Sequence, residues 1–406
     1  MTKILLINES PLYFDGNDYY AFDPWILFPI KMAQYCKNLG HFVNLWAPIQ
    51  PIKSLSQFTQ QPFKLNTTAF GKIHTTIAYN SFISFYKLLP RHYRTWRQNA
   101  EKSVQEADCV IVRLPAPMLP LFGQLALKHK KPLILFIGGD IEAQSDRILG
   151  SRGLKKHLYK ALVKFWVNQE IAWGQRAAKI FVYSDHLHQR HYNKMFPNKL
   201  SLIRTPHLSL SEFQHRTDTC QSSVIQLLRV SWFLPSKGLE YLFESVSLLR
   251  KRGYNVELTL VGKERNPDYK KQLLALANQL EICPFIRIED WIPYDCLKEL
   301  YFRSDIQIIS SLAEGTPRVI LEGASNGLPL VCTDVGGCSV ILTEKEHALL
   351  VPPQNSEAIA TAVQTLIDDQ ALRQTLIKNS YALAEKFCFE KLGQEITDMV
   401  LSLSNE

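Results

Sequence analysis

Two carboxylates in the second half of the chain have a spacing that suits ligand binding. Seven residues separate Glu314 from Glu322, and the turn-forming triplet Gly-Thr-Pro directly follows the first of them. The isoleucine-rich segment 305–310, Asp-Ile-Gln-Ile-Ile-Ser, precedes Glu314 and predicts a buried strand that ends just before it.

The residues after this carboxylate predict a helix over 316–326. Thr316 suits the N-cap, Pro317 the first helical position and Gly327 the C-terminal stop. A strand, a tight turn and a helix N-terminus together present free backbone N–H groups to an anion. A carboxylate beside that anion is suited to hold sugar hydroxyls, so the pattern indicates a site for a nucleotide-sugar.

The length and composition indicate a two-domain protein that folds around apolar cores. The chain has 406 residues, of which 46% are apolar, and this length exceeds what one ordinary core supports. No apolar run approaches the ~18–20 residues of a membrane span, and the short apolar stretch 4–7 predicts a first strand rather than a signal peptide. The eight cysteines are scattered without a C-x-x-C pair, which is typical of reduced thiols in a cytoplasmic protein.

The net charge of +8 is distributed unevenly between the two halves. Residues 1–205 carry 27 Lys and Arg against 12 Asp and Glu, whereas residues 206–406 carry 19 against 26. This segregation indicates that the first half faces something anionic, such as a membrane surface or an acidic acceptor. A basic surface that serves only solubility is the alternative.

Both halves alternate strand-like and helix-like segments, which predicts doubly wound parallel sheets. We predict strands in the first half over 4–8, 42–46, 109–113, 132–137 and 179–183, and in the second half over 224–230, 256–261, 285–288, 306–309 and 330–333. The polar, unperiodic stretch 206–223 is the predicted linker between domains at 1–205 and 224–388. Ligands of such sheets bind beyond the carboxyl ends of the strands.

Several motifs in the second half resemble those of retaining glycosyltransferases of family 4, also called glycosyl transferases group 1. They match in order and spacing over roughly residues 225–385: Ser-Lys-Gly-Leu-Glu-Tyr-Leu at 236–242, Leu-Val-Gly at 260–262, Ser-Ser-Leu-Ala-Glu-Gly-Thr-Pro at 310–317, Leu-Glu-Gly-Ala-Ser-Asn-Gly-Leu-Pro at 321–329 and Cys-Thr-Asp-Val-Gly-Gly at 332–337. The resemblance implies a GT-B fold, in which two Rossmann-like domains face each other across a cleft. It places the nucleotide-sugar on the C-terminal domain and the acceptor on the N-terminal one, and it implies that the last helix, 389–406, returns to the first domain.

The resemblance also assigns roles on the donor side. Lys237 corresponds to a cation that holds the donor phosphate, Glu322 to the carboxylate that binds the ribose, and Glu314 to a residue near the transferred sugar. Further donor contacts fall on the backbone of Gly315 and Thr316, on Gly262, on Arg318 as a second cation, and on Trp291 and Ile292 beside the base. Because the sequence contains no D-x-D triplet, we expect neither a catalytic metal nor a cofactor.

The chain departs from the family mostly on the acceptor side. The first loop has only Gly16 in place of the family's paired glycines, and two expected histidines are absent. Arg113, Gly139 and Asp140 are the residues we expect to orient an acceptor instead. On the donor side, Trp232 stands where relatives have an arginine, and Arg229 lies three residues away from that position.

The resemblance therefore implies transfer of a hexose from a UDP- or GDP-sugar to a hydroxyl of a saccharide or lipid-linked acceptor, with retention. The alternative is a decayed GT-B protein that binds a sugar nucleotide or an anionic partner without transfer. Nucleic-acid binding is disfavoured, since no known motif accompanies the basic half.

The basic and aromatic stretch 82–102 and the lysine-rich helix near 155–164 suit the surface of an anionic membrane. An amphipathic helix with its apolar face in the domain core is an equally good reading of the first stretch.

Overall fold

The computed structural model of the protein describes residues 1–22, 26–52, 63–77, 79, 82–138, 154–183, 192–203, 206, 208–290, 292, 294–314 and 317–404. The chain forms two compact units. Unit 1 comprises Met1–His207 together with Leu392–Glu406, and unit 2 comprises Leu208–Lys391.

Unit 1 is built on one mixed sheet with a parallel centre. Its strands are β1 Lys3–Ile7, β2 Leu12–Phe14, β3 Tyr19–Ala21, β4 Phe42–Pro51, β5 Phe63–Lys64, β6 Ile73–Ile77, β7 Cys109–Leu114, β8 Leu133–Ile137, β9 Lys179–Val182 and β10 Leu200–Leu202. Their order is β10-β9-β8-β7-β1-β4-β2-β3-β5, and β6 also pairs with β4. The pairs β2/β3 and β3/β5 are antiparallel, and the other described pairs run parallel.

The helices of unit 1 cover this sheet because their apolar faces match its buried strands. The longer ones that precede unit 2 in the chain are α1 Leu27–Asn38, α2 Phe82–Gln105, α3 Leu119–Lys128 and α4 Leu154–Arg176, and a single turn of helix covers Asn193–Met195. Phe85, Trp96 and Val104 of α2 lie in the same core cluster as Val110 of β7 and Phe122 of α3. The amphipathic reading of stretch 82–102 is thus confirmed for its apolar face, which packs in the core of the unit.

Unit 2 is built on a six-stranded sheet whose described pairs are all parallel. Its strands are β11 Ile225–Val230, β12 Val256–Val261, β13 Ile286–Glu289, β14 Ile306–Ile309, β15 Leu330–Thr333 and β16 Leu349–Val351, in the order β13-β12-β11-β14-β15-β16. The chain order reverses on the two sides of β11, so the carboxyl ends of β11 and β14 flank the topological switch point where such sheets bind ligands.

The helices of unit 2 alternate with these strands. They are α5 Leu239–Lys251, α6 Pro267–Gln279, α7 Tyr294–Arg303, α8 Arg318–Ala324, α9 Cys338–Ile341, α10 Ser356–Asp368 and α11 Gln370–Lys386. Three of them begin at a polar cap, because the side chains of Asn266, Asn355 and Asp369 each accept a hydrogen bond from a backbone N–H of the first turn.

The segment predicted as a linker belongs mostly to unit 2. From Leu208 onward it packs on that unit, and the guanidinium of Arg216 donates hydrogen bonds to the backbone carbonyls of Tyr301, Ser304 and Asn326 at 2.7–2.9 Å. The backbone N–H of Cys220 also donates to Asp305, and Asp218 pairs with Arg373 at 2.9 Å. A polar, unperiodic composition did not reveal this anchoring, since single polar contacts to distant residues supply it.

A last helix, α12 Gln394–Leu403, lies in unit 1. Its Ile396 and Val400 are buried, and the hydroxyl of Tyr35 on α1 donates to the carboxylate of Asp398 on α12 at 3.2 Å. No helix among the described residues is long and apolar enough to span a membrane.

The helix after Glu314 begins later than the sequence predicts. Pro317 has an extended ψ of 115° and is the N-cap of α8, so it is not the first helical residue. At the other end Gly327 adopts a φ of +61°, and the N–H of Leu328 reaches back to the carbonyl of Gly323 at 3.1 Å, which confirms the predicted stop.

Candidate active site in the second unit

The loops that follow β11 and β14 are joined to each other at the switch point. The N–H of Leu312 donates to the carbonyl of Ser236 at 2.9 Å, and the hydroxyl of Ser310 donates to the carbonyl of Lys237 at 3.0 Å. Hydrogen bonds therefore hold together two loops that lie more than seventy residues apart in the sequence.

Lys237 and Glu314 are the charged side chains that these loops bring together. Lys237 ends a short 3-10 helix, Pro235–Lys237, and its Nζ lies 2.7 Å from Oε1 of Glu314. The lysine side chain is 20% exposed and the glutamate side chain is 10% exposed, so the pair is only partly open to solvent. The two residues that the resemblance assigns to catalysis are direct neighbours in this structure.

Arg229 and Ser311 extend this pair into the interior of the sheet. The hydroxyl of Ser311 donates to Oε1 of Glu314 at 2.6 Å and accepts a hydrogen bond from Nη2 of Arg229 at 2.7 Å. Arg229 is 1% exposed, and its Nη2 lies 3.9 Å from the same glutamate oxygen. Burial lowers the pKa of the Arg229 guanidinium, and the charge of Glu314 opposes that shift. Because Arg229 is almost fully buried, we expect any compensation for Trp232 to be indirect.

Glu322 lies in α8, where its side chain is half-buried. Its Oε2 accepts a hydrogen bond from the hydroxyl of the buried Tyr301 at 3.0 Å, and its backbone carbonyl accepts from the amide of Asn326 at 2.8 Å. The carboxylate of Glu322 is therefore held in place by a buried hydroxyl.

Gly262 follows β12 at a place where no side chain fits. Its φ is +154°, and a Cβ atom built there would lie 1.8 Å from the carbonyl oxygen of Ser231. Ile292 packs against the small apolar cluster that contains Val261 and Tyr301, so it lies at the same edge of the sheet. Gly262 and Ile292, two of the predicted donor contacts, thus lie in the same part of unit 2 as Tyr301 and Glu322.

Trp232 and Arg265 form an exposed stacked pair on the loops after β11 and β12. The guanidinium carbon of Arg265 lies 4.6 Å from the ring centroid of Trp232, whose side chain is 53% exposed. The N–H of Phe233 donates to the carbonyl of Lys263 at 3.1 Å and ties the two loops together. A cation therefore stands beside position 232 although the arginine expected there is absent.

The remaining predicted donor residues divide into two groups. Arg318 is the first residue of α8 and is half-buried. Gly315, Thr316 and Trp291 lie outside the described residues.

The predicted acceptor residues are described only in part. Nη1 of Arg113, at the end of β7, lies 3.0 Å from the hydroxyl of Ser10 and 3.3 Å from the amide oxygen of Asn8, both on the loop after β1. Gly16 lies instead in the turn between β2 and β3, with a φ of +106°. Gly139 and Asp140 lie outside the described residues.

Glu9 is a functional candidate that sequence analysis missed. It lies between Asn8 and Ser10, and its carboxylate accepts hydrogen bonds from the backbone N–H of Met118 at 2.7 Å and from the hydroxyl of Tyr79. Desolvation raises the pKa of Glu9 to about 8, well above the ordinary range of a carboxyl group. Ser311 and Arg265 were also missed, because their roles depend on which strands are neighbours and no local pattern reveals that.

Among the described residues no cluster of three or more His, Cys, Asp or Glu side chains is arranged to hold a metal ion. The absence of a metal in the reaction stays a prediction.

Comparison with known proteins gives this geometry a family context. Residues 213–383 match the family model described as Glycosyl transferases group 1. An uncharacterized glycosyltransferase of Methanocaldococcus jannaschii is 28% identical over 164 residues, which are 40% of this chain and 41% of that protein. The alpha-D-kanosaminyltransferase of Streptomyces kanamyceticus is 26% identical over 172 residues, which are 42% of this chain and 44% of that protein. The chain thus spans less than half the length of these relatives.

Solved structures resemble the chain over nearly its whole length. A sucrose-phosphate synthase from Thermosynechococcus elongatus superposes with a TM-score of 0.69 at 17% identity, covering 99% of both chains. The Anabaena protein HepE in complex with UDP superposes with a TM-score of 0.70 at 14% identity, covering 99% of this chain and 100% of that one. The chain therefore has a GT-B fold of two Rossmann-like domains, and its residues 213–383 match the glycosyl transferases group 1 family.

Proposed function

We propose that the protein is a glycosyltransferase that transfers a hexose from a nucleoside-diphosphate sugar to an acceptor hydroxyl. The observation that carries this proposal is the contact between Lys237 and Glu314 at the switch point of the unit 2 sheet. The family match over residues 213–383 supports the same reaction, and the related HepE structure contains UDP.

Different residues of unit 2 can bind different parts of the donor. Lys237 faces the diphosphate with Arg318 as a second cation, Glu322 accepts the ribose hydroxyls, and Ile292 lies beside the base. Gly262 leaves room for the donor at the end of β12. We assign Glu314 to the transferred sugar, and the resemblance adds Gly315 and Thr316, which lie outside the described residues, as contacts of the sugar or the diphosphate.

The reaction proceeds at the anomeric carbon of the sugar. The bond from this carbon to the diphosphate oxygen breaks, and a bond to the acceptor oxygen forms on the same face. The acceptor proton passes to an oxygen of the leaving phosphate, while Lys237 stabilises the charge that develops there. We propose retention on this basis, in keeping with family 4, and without a metal or cofactor. An inverted product, seen by NMR of its anomeric proton, would contradict it.

Selective binding of one nucleoside diphosphate is the first expected result. We would measure UDP, GDP and ADP and their sugars by calorimetry and thermal shift. At a hundred times its dissociation constant the correct ligand stabilises the protein by ~2.7 kcal/mol. Glu322→Gln should weaken binding about 10- to 100-fold, since hydrogen bonds to a charged group contribute ~1.5–3 kcal/mol. Glutamine still accepts from Tyr301, so the fold is preserved.

The exposed Glu299→Gln is the matched control and should bind like the wild type. If no nucleotide binds, the proposed function is wrong. Binding without transfer or hydrolysis of any sugar nucleotide would support the alternative of a decayed, ligand-binding protein.

On the acceptor side, we propose that Arg113 and Asp140 orient a saccharide or lipid-linked acceptor. Arg113, Ser10 and Asn8 lie at the carboxyl ends of β1 and β7, where the strand order of the unit 1 sheet also reverses. Gly139 and Asp140 come shortly after β8 in the sequence, and we propose that the missing side chain of Gly139 lets the acceptor approach the backbone.

We further propose that α2 and α4 of unit 1 form a surface for an anionic membrane. The rings of Tyr86 on α2 and Trp166 on α4 lie 6.3 Å apart, so the two helices are neighbours. Tyr86, Tyr93 and Phe165 are 38–46% exposed beside exposed basic residues of α2. Exposed aromatic rings interleaved with basic side chains suit a lipid headgroup region.

Liposome flotation tests this surface. Vesicles that contain phosphatidylserine should carry the protein, and the double variant Arg91→Glu/Arg94→Glu should bind at least about tenfold more weakly, since each basic residue contributes ~1 kcal/mol. Lys179→Glu/Lys194→Glu makes the same charge change on other elements of the unit and should have a smaller effect. Equal binding to neutral vesicles, or none to either, would contradict the proposal.

A further inference from the structure

Arg229 is buried in unit 2, where a guanidinium group lowers stability unless an opposite charge lies close to it. It is 1% exposed on β11, and its Nε has no hydrogen-bond partner among the described residues. Removing a guanidinium from water and leaving part of it unpaired is unfavourable. The carboxylate of Glu314, which Arg229 reaches through Ser311, is the charge that offsets this cost.

One oxygen of Glu314 receives all the contacts of this network. Oε1 lies 2.7 Å from Nζ of Lys237, 2.6 Å from the hydroxyl of Ser311 and 3.9 Å from Nη2 of Arg229. Two cations thus share one carboxylate, and the cluster has an excess of one positive charge. The two cations differ in access, because Lys237 is 20% exposed and Arg229 is 1% exposed.

We propose that Arg229, acting through Ser311, is the permanent counter-ion of Glu314 and thereby frees Lys237 to bind the diphosphate of the donor. Arg229 is a positioning residue in this scheme, since it touches no ligand. The inference rests on the proposed function, because it assumes that a phosphate-bearing ligand binds beside Lys237.

The consequence of losing Arg229 follows from the burial of Glu314. With Arg229 neutral, Lys237 becomes the sole counter-ion of a carboxylate that is 10% exposed. Lys237 could then turn to a phosphate only by leaving that charge unpaired, which is costly in a partly buried place. The affinity for a diphosphate should fall although no direct contact to it is lost.

A double-variant experiment separates this role from a structural one. Arg229→Met should weaken binding of the nucleoside diphosphate about 5- to 150-fold, the usual range of coupling between two sites. Adding Glu314→Gln removes the carboxylate charge that holds Lys237, so Arg229→Met/Glu314→Gln should regain most of the diphosphate affinity while transfer stays impaired. Arg229→Lys, which keeps the charge, should bind close to the wild type.

Arg216→Met is the matched control, because Arg216 is a half-buried arginine of unit 2 whose guanidinium donates its described hydrogen bonds to backbone carbonyls and not to a carboxylate. It should lower the melting temperature and leave diphosphate affinity unchanged. If Arg229→Met does not fold, Ser311→Ala interrupts the same relay with a smaller change, and it should still weaken diphosphate binding several-fold.

The outcomes are distinct from those of the proposed function. If the wild type binds no nucleotide, the proposed function fails first. If the wild type binds and Arg229→Met, or Ser311→Ala in its place, binds equally well, the inference is wrong. It is also wrong if the double variant stays as weak as Arg229→Met, since Arg229 would then act only on the fold.

Discussion

Replacing Lys237 with alanine should lower the rate of sugar transfer by about a hundred- to a thousandfold. The diphosphate gains charge as the glycosidic bond breaks, and losing one fixed donor to such charge typically costs ~3–4 kcal/mol. Because this charge is largest in the transition state, the loss should appear mainly in kcat. Initial rates with the donor found by calorimetry would measure it.

The fold should tolerate Lys237→Ala, so a lower rate of sugar transfer can be attributed to the lost lysine and not to unfolding. Glu314 keeps Ser311 and Arg229 as partners when Lys237 is gone, so the carboxylate is not left unpaired. Lys251→Ala, at the exposed end of α5, removes a lysine of the same unit and should leave the rate unchanged. A Lys237→Ala variant with wild-type kcat would show that the phosphate charge is met elsewhere.

Replacing Gly262 with alanine should destabilise unit 2 by about 3 kcal/mol, through a strained backbone and an overpacked contact. The added Cβ atom would lie 1.8 Å from the carbonyl oxygen of Ser231. Relief requires moving the loop that begins at Ser231 and leads to Lys237, so donor binding should weaken as well. Urea unfolding and calorimetry on the same preparation would report both effects.

Gly253→Ala is the control for backbone strain alone. Gly253 also has a positive φ, +90°, but no atom lies within 4 Å of a Cβ built there. It should cost about 1 kcal/mol and leave donor binding intact. Equal costs for the two variants would mean that the contact with Ser231 relaxes freely.

The sequence predicted the main strands of both sheets because buried parallel strands are continuous apolar runs between turns. It missed β2, β3, β5, β6, β10 and β16. All of these except β6 have only two or three residues, which is too short to show a periodicity, and β6 has only two apolar residues among five. Gly16 lies in the turn between two of these short strands, β2 and β3, and its role toward an acceptor stays a prediction.

The candidate site was predicted as a set of residues but not as a network. Lys237, Glu314 and Glu322 were found by motif, yet the sharing of one glutamate oxygen by Lys237 and Ser311 follows from the adjacency of β11 and β14. Arg229 is three residues from the expected position and points into the sheet, which local spacing does not reveal. Tyr301, the partner of Glu322, comes from a helix that carries no motif.

The return of the chain to unit 1 sets an order for folding during synthesis. In the order of the chain, unit 2 comes between the two segments of unit 1, and α12 supplies buried residues of unit 1. On the ribosome, unit 2 has therefore emerged completely while unit 1 still lacks its last helix. Domains usually fold in the order in which they are synthesised, with the N-terminal domain first. Here the final packing step belongs to the N-terminal unit, because its last helix is made after unit 2. Until α12 is made, the apolar surface that it covers on unit 1 stays exposed to water and to chaperones.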